Sequence, residues 1–395
     1  MRPLLLILLL FYFVACKQEE KPSSSIAVND SESIETTDKI STPTDLDELQ
    51  LHEDPENYNI VPVVKNLSNP WGMDWMPSGD LIFTEKEGKM FRFDGTTTHE
   101  IKNVPEIYVR GQGGLLDVIL HPDFEDNQFI YISYASQQGE GNGGNTAIAR
   151  AKLINDELQQ LEVIYKATPN TKKGQHFGSR FAWGNDGKLY FSIGERGARD
   201  VNPQDLSRDG GKIYRINDDG SIPNDNPFME REDALPAIFT YGNRNPQGLL
   251  KHPKTGEIIA HEHGPKGGDE INIIKPGVNY GWPVISYGVN YSGTKFTDKV
   301  KQKGMAQPMA YWDPSIAPSG FAVIDSNKYP GWKGNYLIGS LKFSYVEMLE
   351  TSGDKAVKRT KLADGFGRMR NVKMGPDGLI YLGVEGDGIY RLEPK

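Results

Sequence analysis

The chain has 395 residues, a formal net charge of −9, an aromatic content of 10% and a single cysteine. Its 43 glycines and 25 prolines are many for a helical protein, and the aromatic content favours packed strands over a disordered chain. One cysteine cannot form an internal disulfide bond, which excludes the disulfide-rich scaffolds.

The first sixteen residues predict an export signal. Arg2 precedes an unbroken apolar run from Leu4 to Val14, which is too short to span a bilayer but suits a signal peptide. The run leads through Phe-Val-Ala into Cys16, a sequence that resembles a bacterial lipobox. We therefore expect a bacterial lipoprotein, anchored in the membrane only through acylated Cys16, on the periplasmic side or at the surface of the outer membrane. An ordinary signal peptide with an incidental cysteine is the alternative.

Residues 17–56 are rich in Ser, Thr, Asp and Glu and contain no Phe, Trp or Tyr. They hold twelve acidic residues against three lysines, so they carry the whole surplus of negative charge. Such a segment buries too little apolar surface to offset its chain entropy, and we expect a disordered tether that contributes nothing to the folded domain. The remaining chain is nearly neutral and shows no bias towards nucleic acid.

Residues 57–395 consist of short apolar runs separated by Gly, Pro, Asn and Asp. An apolar stretch, a turn and a second apolar strand recur six times, in residues 71–83, 114–132, 179–191, 247–259, 319–338 and 371–381. Six such units without helical periodicity predict one all-β domain, a six-bladed β-propeller of four-stranded antiparallel blades. A β-sandwich is the alternative, but it uses about seven to nine strands, whereas this chain has sequence for about 24.

Charged and polar residues recur where one repeat passes into the next, and in propellers those positions face the central channel. The runs are Arg110-Gly-Gln112, Gln175-His-Phe-Gly-Ser-Arg180, Tyr241-Gly-Asn-Arg-Asn-Pro-Gln-Gly248, Ser340-Leu-Lys342 and Arg368-Met-Arg370. A sixth run, from His261 to Glu270, follows the fourth repeat. Cations gathered around one axis repel each other unless an anion lies between them, so the pattern predicts an anionic ligand.

These runs, with Asn279-Tyr-Gly-Trp-Pro283, resemble those of the soluble aldose and glucose dehydrogenases that use pyrroloquinoline quinone (PQQ). The resemblance keeps the family's order and covers about residues 60–393. It implies PQQ- and calcium-dependent oxidation of an aldose sugar at C1 to the lactone, with a quinone or cytochrome as electron acceptor. A non-catalytic binding propeller and a calcium-dependent lactonase-type hydrolase are the alternatives.

The resemblance also implies roles for individual residues. His176 is expected to be the general base, and Arg244 to stabilise negative charge as it develops. Glu195 stands where the family pattern has an aspartate that orients the base. The implied cofactor-binding residues are Gln112, Arg244, Asn245, Tyr291, Lys342, Arg368 and Arg370. The implied calcium ligands are the carbonyls of Gly264 and Pro265 and, at a second site, Glu270 and the carbonyl of Tyr280.

Two smaller questions stay open at the level of sequence. His261 and His263 lie two residues apart on a predicted strand, so they share a face and are an alternative zinc pair, although no third ligand is evident. Arg110 and Arg180 are expected to be structural ion-pair partners rather than cofactor ligands.

Overall fold

A computed structural model describes residues 42–395 of the protein. The export signal, Cys16 and the greater part of the predicted tether therefore lie outside the described residues, and their roles stay predictions. Across the described part of the chain, no helix is long and apolar enough to cross a membrane.

Six sheets account for almost all of the secondary structure of residues 42–395, and each contributes four antiparallel strands to a ring. Blades 1 to 3, from the innermost strand outwards, are β4 (Pro70–Trp75), β5 (Leu81–Glu85), β6 (Lys89–Phe93) and β7 (Thr98–Glu100); β8 (Leu115–Leu120), β9 (Phe129–Ser136), β10 (Asn145–Ile154) and β11 (Glu157–Lys166); and β12 (Phe181–Trp183), β13 (Leu189–Ile193), β14 (Lys212–Ile216) and β15 (Ile238–Tyr241). A single helical turn, α1 (Phe124–Asn127), joins β8 to β9.

Blades 4 to 6 follow the same plan. They are β16 (Pro246–Lys251), β17 (Ile258–Glu262), β18 (Asp269–Ile273) and β19 (Ala310–Trp312); β20 (Pro318–Val323), β21 (Tyr336–Ser340), β22 (Val346–Ser352) and β23 (Lys355–Leu362); and β24 (Met369–Met374), β25 (Ile380–Val384), β26 (Gly388–Pro394) and β3 (Tyr58–Lys65).

The ring closes by joining the two ends of the domain. The innermost strands contact each other in cyclic order, and β24 of the last blade contacts β4 of the first. Strand β3 pairs antiparallel with β26, so an N-terminal strand completes the C-terminal blade. Each predicted repeat overlaps the two innermost strands of one blade, and the six-bladed β-propeller predicted from the sequence is confirmed.

The apolar core is divided among the interfaces between neighbouring blades. Ile82 of blade 1, for example, packs in one cluster with Leu115 and Val118 of blade 2. Tyr131 of blade 2 meets Trp183 of blade 3 edge to face, with ring centroids 5.2 Å apart. Because each blade buries its faces only against its neighbours, the fold is stable only as a closed ring.

Residues 42–56, the N-terminal strap, pack against the ring, whereas the sequence predicted a disordered tether up to residue 56. Strand β1 (Thr44–Asp45) lies parallel to β19, a 3-10 turn (Leu46–Glu48) follows, and β2 (Leu51–His52) lies parallel to β23. Leu46 is fully buried in the cluster between blades 4 and 5. The predicted domain boundary at residue 57 is therefore too late.

Polar contacts fasten the strap as well. Arg359 of β23 is buried, donates 2.7 Å to Glu347 Oε1 and 2.6 Å to the Leu46 carbonyl, and also bonds Asp47. The amino-acid composition suggested disorder because it reports only the type of each side chain and not the backbone pairing that a segment can form. The strap is held by backbone pairing to two open sheet edges, by one buried leucine and by the hydrogen bonds of Arg359, features that an acidic composition conceals.

Candidate active site

The predicted site residues converge at one end of the channel because they lie at equivalent places in the blades. Residues just before an innermost strand and residues just after a second strand meet at the same end of the ring. Arg244 and Asn245 precede β16, for instance, whereas Glu195 follows β13 and Lys342 follows β21. The topology alone thus brings together segments far apart in sequence.

Two adjoining cavities open at this end of the channel. The base cavity has a volume of about 480 Å³, and the cation cavity about 740 Å³. The base cavity is lined by His176, Glu195, Arg244 and Trp282, among others. The cation cavity is lined by Gln112, Asn245, Lys342, Arg368 and Arg370, among others. Pro265 and Tyr291 line both, and the Tyr291 residue is 72% exposed.

His176 and Glu195 form a hydrogen-bonded pair in the base cavity. Nδ1 of His176 contacts Oε1 of Glu195, whose side chain is only 3% exposed. Because a carboxylate accepts, the bond places the ring proton on Nδ1 and leaves a lone pair on Nε2. The Glu195 side chain, one methylene longer than an aspartate, therefore reaches the histidine.

The surroundings keep the His176 imidazole neutral. Burial lowers the pKa of His176 below its ordinary value of 6.5, Glu195 raises it, and the positive charges of Arg244 and Arg196 lower it further. The net direction is downward, so the unprotonated imidazole prevails at neutral pH. This is the form that a general base requires.

Neighbouring residues also hold the backbone around His176. Its N–H donates 2.6 Å to Oε1 of Gln112, and Asn245 Oδ1 accepts from the Gly178 N–H at 3.1 Å. His176 has φ of +56°, a left-handed conformation that is uncommon outside glycine and needs support from the surrounding structure. Gln112 and Asn245, predicted as cofactor contacts, thus also shape the segment that carries the histidine.

Arg244 is buried between the base cavity and the loop after β17. Its Nη1 donates to the carbonyls of His263 at 3.1 Å and Gly264 at 2.7 Å, and its guanidinium lies 5.4 Å from the Trp282 ring centroid. Within residues 42–395 its guanidinium forms no ion pair with a carboxylate. Its charge is therefore left for an anion or a developing negative charge in the cavity.

The cation cavity has an excess of positive charge. The cations that line it are Lys86, Lys266, Lys342, Arg368 and Arg370. The one carboxylate among the lining residues is Glu385, which accepts from Arg368 Nε at 2.8 Å and from Arg370 Nε at 2.7 Å. Although burial raises the pKa of Glu385, the two arginines lower it below its usual range. The remaining cations fit a ligand with several carboxylates, such as PQQ.

A pair of carboxylates, Glu262 and Glu270, borders a third, buried cavity of about 10 Å³, which has room for a single ion or water. Gly264 and Tyr280 border it too. Burial, and then the neighbouring Glu262, raise the pKa of Glu270 above its ordinary value. Two carboxylates together with carbonyl oxygens are the donors that calcium prefers, so the predicted second calcium site fits this cavity.

The structure divides the predicted calcium ligands between cavities. Pro265 lines the two large cavities, whereas Gly264 borders the small one and its carbonyl already accepts from Arg244. Within residues 42–395, no cluster of three or more His, Cys, Asp or Glu is placed to hold a metal ion. Any metal here would therefore need carbonyl oxygens in addition to Glu262 and Glu270.

The two histidines considered for zinc are occupied elsewhere. His261 Nε2 lies 2.9 Å from the Gly320 carbonyl and His263 Nε2 lies 2.7 Å from the Pro318 carbonyl, so both bond the backbone of blade 5. Arg180 has the expected structural role: it pairs with Asp117 at 3.3 Å and stacks on Trp71 at 3.8 Å. Arg110 forms no ion pair among the described residues.

These features define a propeller whose channel holds a histidine–carboxylate pair beside a cation-rich cavity. The sequence model of the glucose/sorbosone dehydrogenase family matches residues 67–391. The chain belongs to this family, and the family resemblance inferred from the sequence is confirmed.

Individual relatives agree with this assignment. The aldose sugar dehydrogenase of Escherichia coli K12 is 36% identical over 336 residues, which cover 83% of this chain and 90% of that protein. The apo-form crystal structure of the soluble aldose sugar dehydrogenase from E. coli matches with a TM-score of 0.81 and 35% identity, over 86% of this chain and 100% of that one. The PQQ-bound aldose sugar dehydrogenase of Streptomyces coelicolor matches with a TM-score of 0.71 and 28% identity, over 86% and 99%.

Proposed function

We propose that the protein is a PQQ- and calcium-dependent aldose dehydrogenase, which oxidises sugars at C1 to the lactone. The observation that carries the proposal is the neutral His176, held by Glu195, next to a cavity with surplus cations. The similarity to a PQQ-bound aldose sugar dehydrogenase supports the same assignment.

In this proposal the protein's own residues handle the proton and the charge. His176 accepts the C1 hydroxyl proton on Nε2, and Glu195 stabilises the imidazolium that forms. Arg244 would stabilise the negative charge that the hydride acceptor gains as the C1–H bond breaks. Bound PQQ would supply the two-electron acceptor for the C1 hydride.

The cations and carbonyls would hold the cofactors. Lys342, Arg368 and Arg370 suit the PQQ carboxylates, because arginine presents a planar fork that binds a carboxylate with two hydrogen bonds. Further cofactor contacts are assigned to Gln112, Asn245, Tyr291 and Arg244. Calcium would be held by the carbonyls of Gly264 and Pro265, with Gly264 offering the lone pair that Arg244 leaves free, and at the second site by Glu270 with the Tyr280 carbonyl.

We also propose that the enzyme works outside the cytoplasm, anchored to the membrane through acylated Cys16. Its substrate would be an aldose sugar, and a quinone or a cytochrome would reoxidise the cofactor. Metabolic labelling with a fatty-acid analogue tests the anchor: wild-type protein should be labelled and Cys16→Ser should not. Labelling of both proteins would contradict it.

Reconstitution tests the proposed activity. Metal-free apoprotein is mixed with PQQ, Ca²⁺ or both, and reduction of a redox dye is followed with a panel of aldoses. Dye reduction that requires PQQ, Ca²⁺ and a sugar together supports the proposal. Binding of PQQ without turnover of any sugar would favour a non-catalytic propeller. Lactone hydrolysis with Ca²⁺ alone would favour the hydrolase.

A further inference from the structure

Arg196, the residue after Glu195, is a buried charge without an acidic partner. It is 1% exposed, and none of the carboxylates in residues 42–395 forms an ion pair with its guanidinium. Burial lowers the pKa of Arg196 to about 9, although Glu195 raises it. An unpaired buried charge is unfavourable, so its presence calls for a specific role.

The guanidinium of Arg196 binds the backbone on the N-terminal side of His176. Its Nη2 donates to the Gly144 carbonyl at 3.1 Å and to the Lys173 carbonyl at 2.9 Å, and its Nη1 donates to the Gln175 carbonyl. The planar fork of an arginine carries five donors in a fixed geometry, so it reaches three carbonyls in different directions from one position.

The same side chain also fixes the C-terminal side of the histidine. The guanidinium carbon lies 3.4 Å from the ring centroid of Phe177, which is itself 1% exposed. Arg196 therefore contacts the residues immediately before and immediately after His176. A shift of either neighbour would turn the imidazole relative to the base cavity.

The backbone around Arg196 also contacts the backbone around His176 directly. The Arg196 N–H donates 3.3 Å to the His176 carbonyl, and a Cβ on Gly194 would lie 2.5 Å from that carbonyl oxygen. Both His176 and Arg196 have positive φ, +56° and +57°. Such conformations persist only where the surroundings over-determine them, which the contacts of Arg196 do.

We propose that Arg196 is a positioning residue, which clamps the backbone on both sides of His176 while Glu195 holds its ring. Two consecutive residues thus fix the base in position and in direction. The positive charge of Arg196 also favours the neutral imidazole. The catalytic consequence rests on the proposed function, but the clamping of the backbone does not.

Two substitutions separate the clamp from the charge. Arg196→Lys keeps the charge but cannot span the three carbonyls, and Arg196→Met removes both. In the PQQ- and Ca²⁺-loaded enzyme, each variant should lower kcat about 10- to 100-fold, because small displacements of a reacting group have effects of this size. Arg196→Met also removes the positive charge that lowers the pKa of His176. Only this variant should therefore move the acidic limb of the pH profile of kcat to higher pH.

Amide hydrogen exchange of the apoprotein gives a readout that needs no activity. Peptides covering residues 171–178 should exchange faster in both variants than in the wild type. Arg215→Met is the matched control: it removes a buried arginine of the same propeller that pairs with Asp186 and Asp225. It should lower the melting temperature without changing exchange at 171–178 or the pH profile.

The outcomes are decisive in each case. Wild-type exchange at 171–178 in both Arg196 variants would overturn the clamp. A pH profile of Arg196→Met that matches the wild type, with faster exchange, would overturn the electrostatic part. If Arg196→Met does not fold, Arg196→Lys still decides the clamp by exchange. If the wild type oxidises no sugar, the proposed function fails, but the exchange result stands.

Discussion

The N-terminal strap should stabilise the propeller without taking part in its chemistry, and Leu46→Ala isolates this effect. Leu46 is fully buried between blades 4 and 5, in the same cluster as Trp312 and Leu349. Its truncation removes apolar burial and leaves a cavity, so the free energy of unfolding should fall by about 2–5 kcal/mol. Each kcal/mol shifts Tm by only about 2 °C in a large domain, which predicts a decrease of about 4–10 °C.

Calorimetry and urea unfolding of paired variants measure the effect. Glu48→Ala, an exposed residue of the same 3-10 turn, is the control and should change the free energy of unfolding by less than about 0.5 kcal/mol. Removing residues 1–41 should leave Tm unchanged, whereas removing residues 1–56 should lower it by at least as much as Leu46→Ala. Equal Tm for the two truncations would refute the packing of the strap, and a lower kcat for Leu46→Ala at 25 °C would refute its separation from catalysis.

Three further predictions concern the site. His176→Ala should keep bound PQQ but lose about 10²–10⁴-fold in kcat, the usual contribution of a positioned base, and near wild-type kcat in a PQQ-loaded variant would exclude the role. Arg368→Ala combined with Arg370→Ala should instead weaken PQQ binding in an equilibrium titration, and an unchanged affinity would remove them from the cofactor site. Because the pKa of His176 lies below its ordinary value of 6.5, kcat/KM should fall towards acid pH, as the base becomes protonated, with a midpoint below pH 6.5. A midpoint above pH 6.5 would contradict the lowered pKa.

The fold could be predicted because its information is local and repeated. Each blade begins with an apolar strand, a turn rich in Gly, Pro or Asp, and a second strand, as in residues 371–381. Six copies of the pattern specify the ring without any knowledge of long-range contacts. The strap could not be found in this way, because two-residue strands have no period and the sheet edges that bind them are distant in sequence.

The candidate site was predicted in part. The cations and His176 were found because they stand in recognisable runs, whereas Glu385 and Arg196 lie outside such runs and Glu262 lies inside one, from His261 to Glu270, without having been singled out. One signal was available in the sequence. In three blades a glutamate stands at the end of the second strand or within two residues after it, namely Glu195, Glu262 and Glu385. A carboxylate at this recurring place faces the channel end, where it meets the His176 imidazole or the arginines. The sequence does not reveal that Arg196 is buried without an acidic partner. Its guanidinium is held by three backbone carbonyls that only the fold brings together.

A single-turnover experiment tests the central claim most directly. Protein loaded with PQQ and Ca²⁺ is mixed anaerobically with one aldose, unlabelled or deuterated at C1, and the lactone formed is measured against the bound PQQ. The account predicts one lactone per bound PQQ, with slower formation from the deuterated sugar because the C1–H bond breaks. Absence of lactone from fully loaded protein, with every sugar of the panel, would contradict the assignment of this site to sugar oxidation.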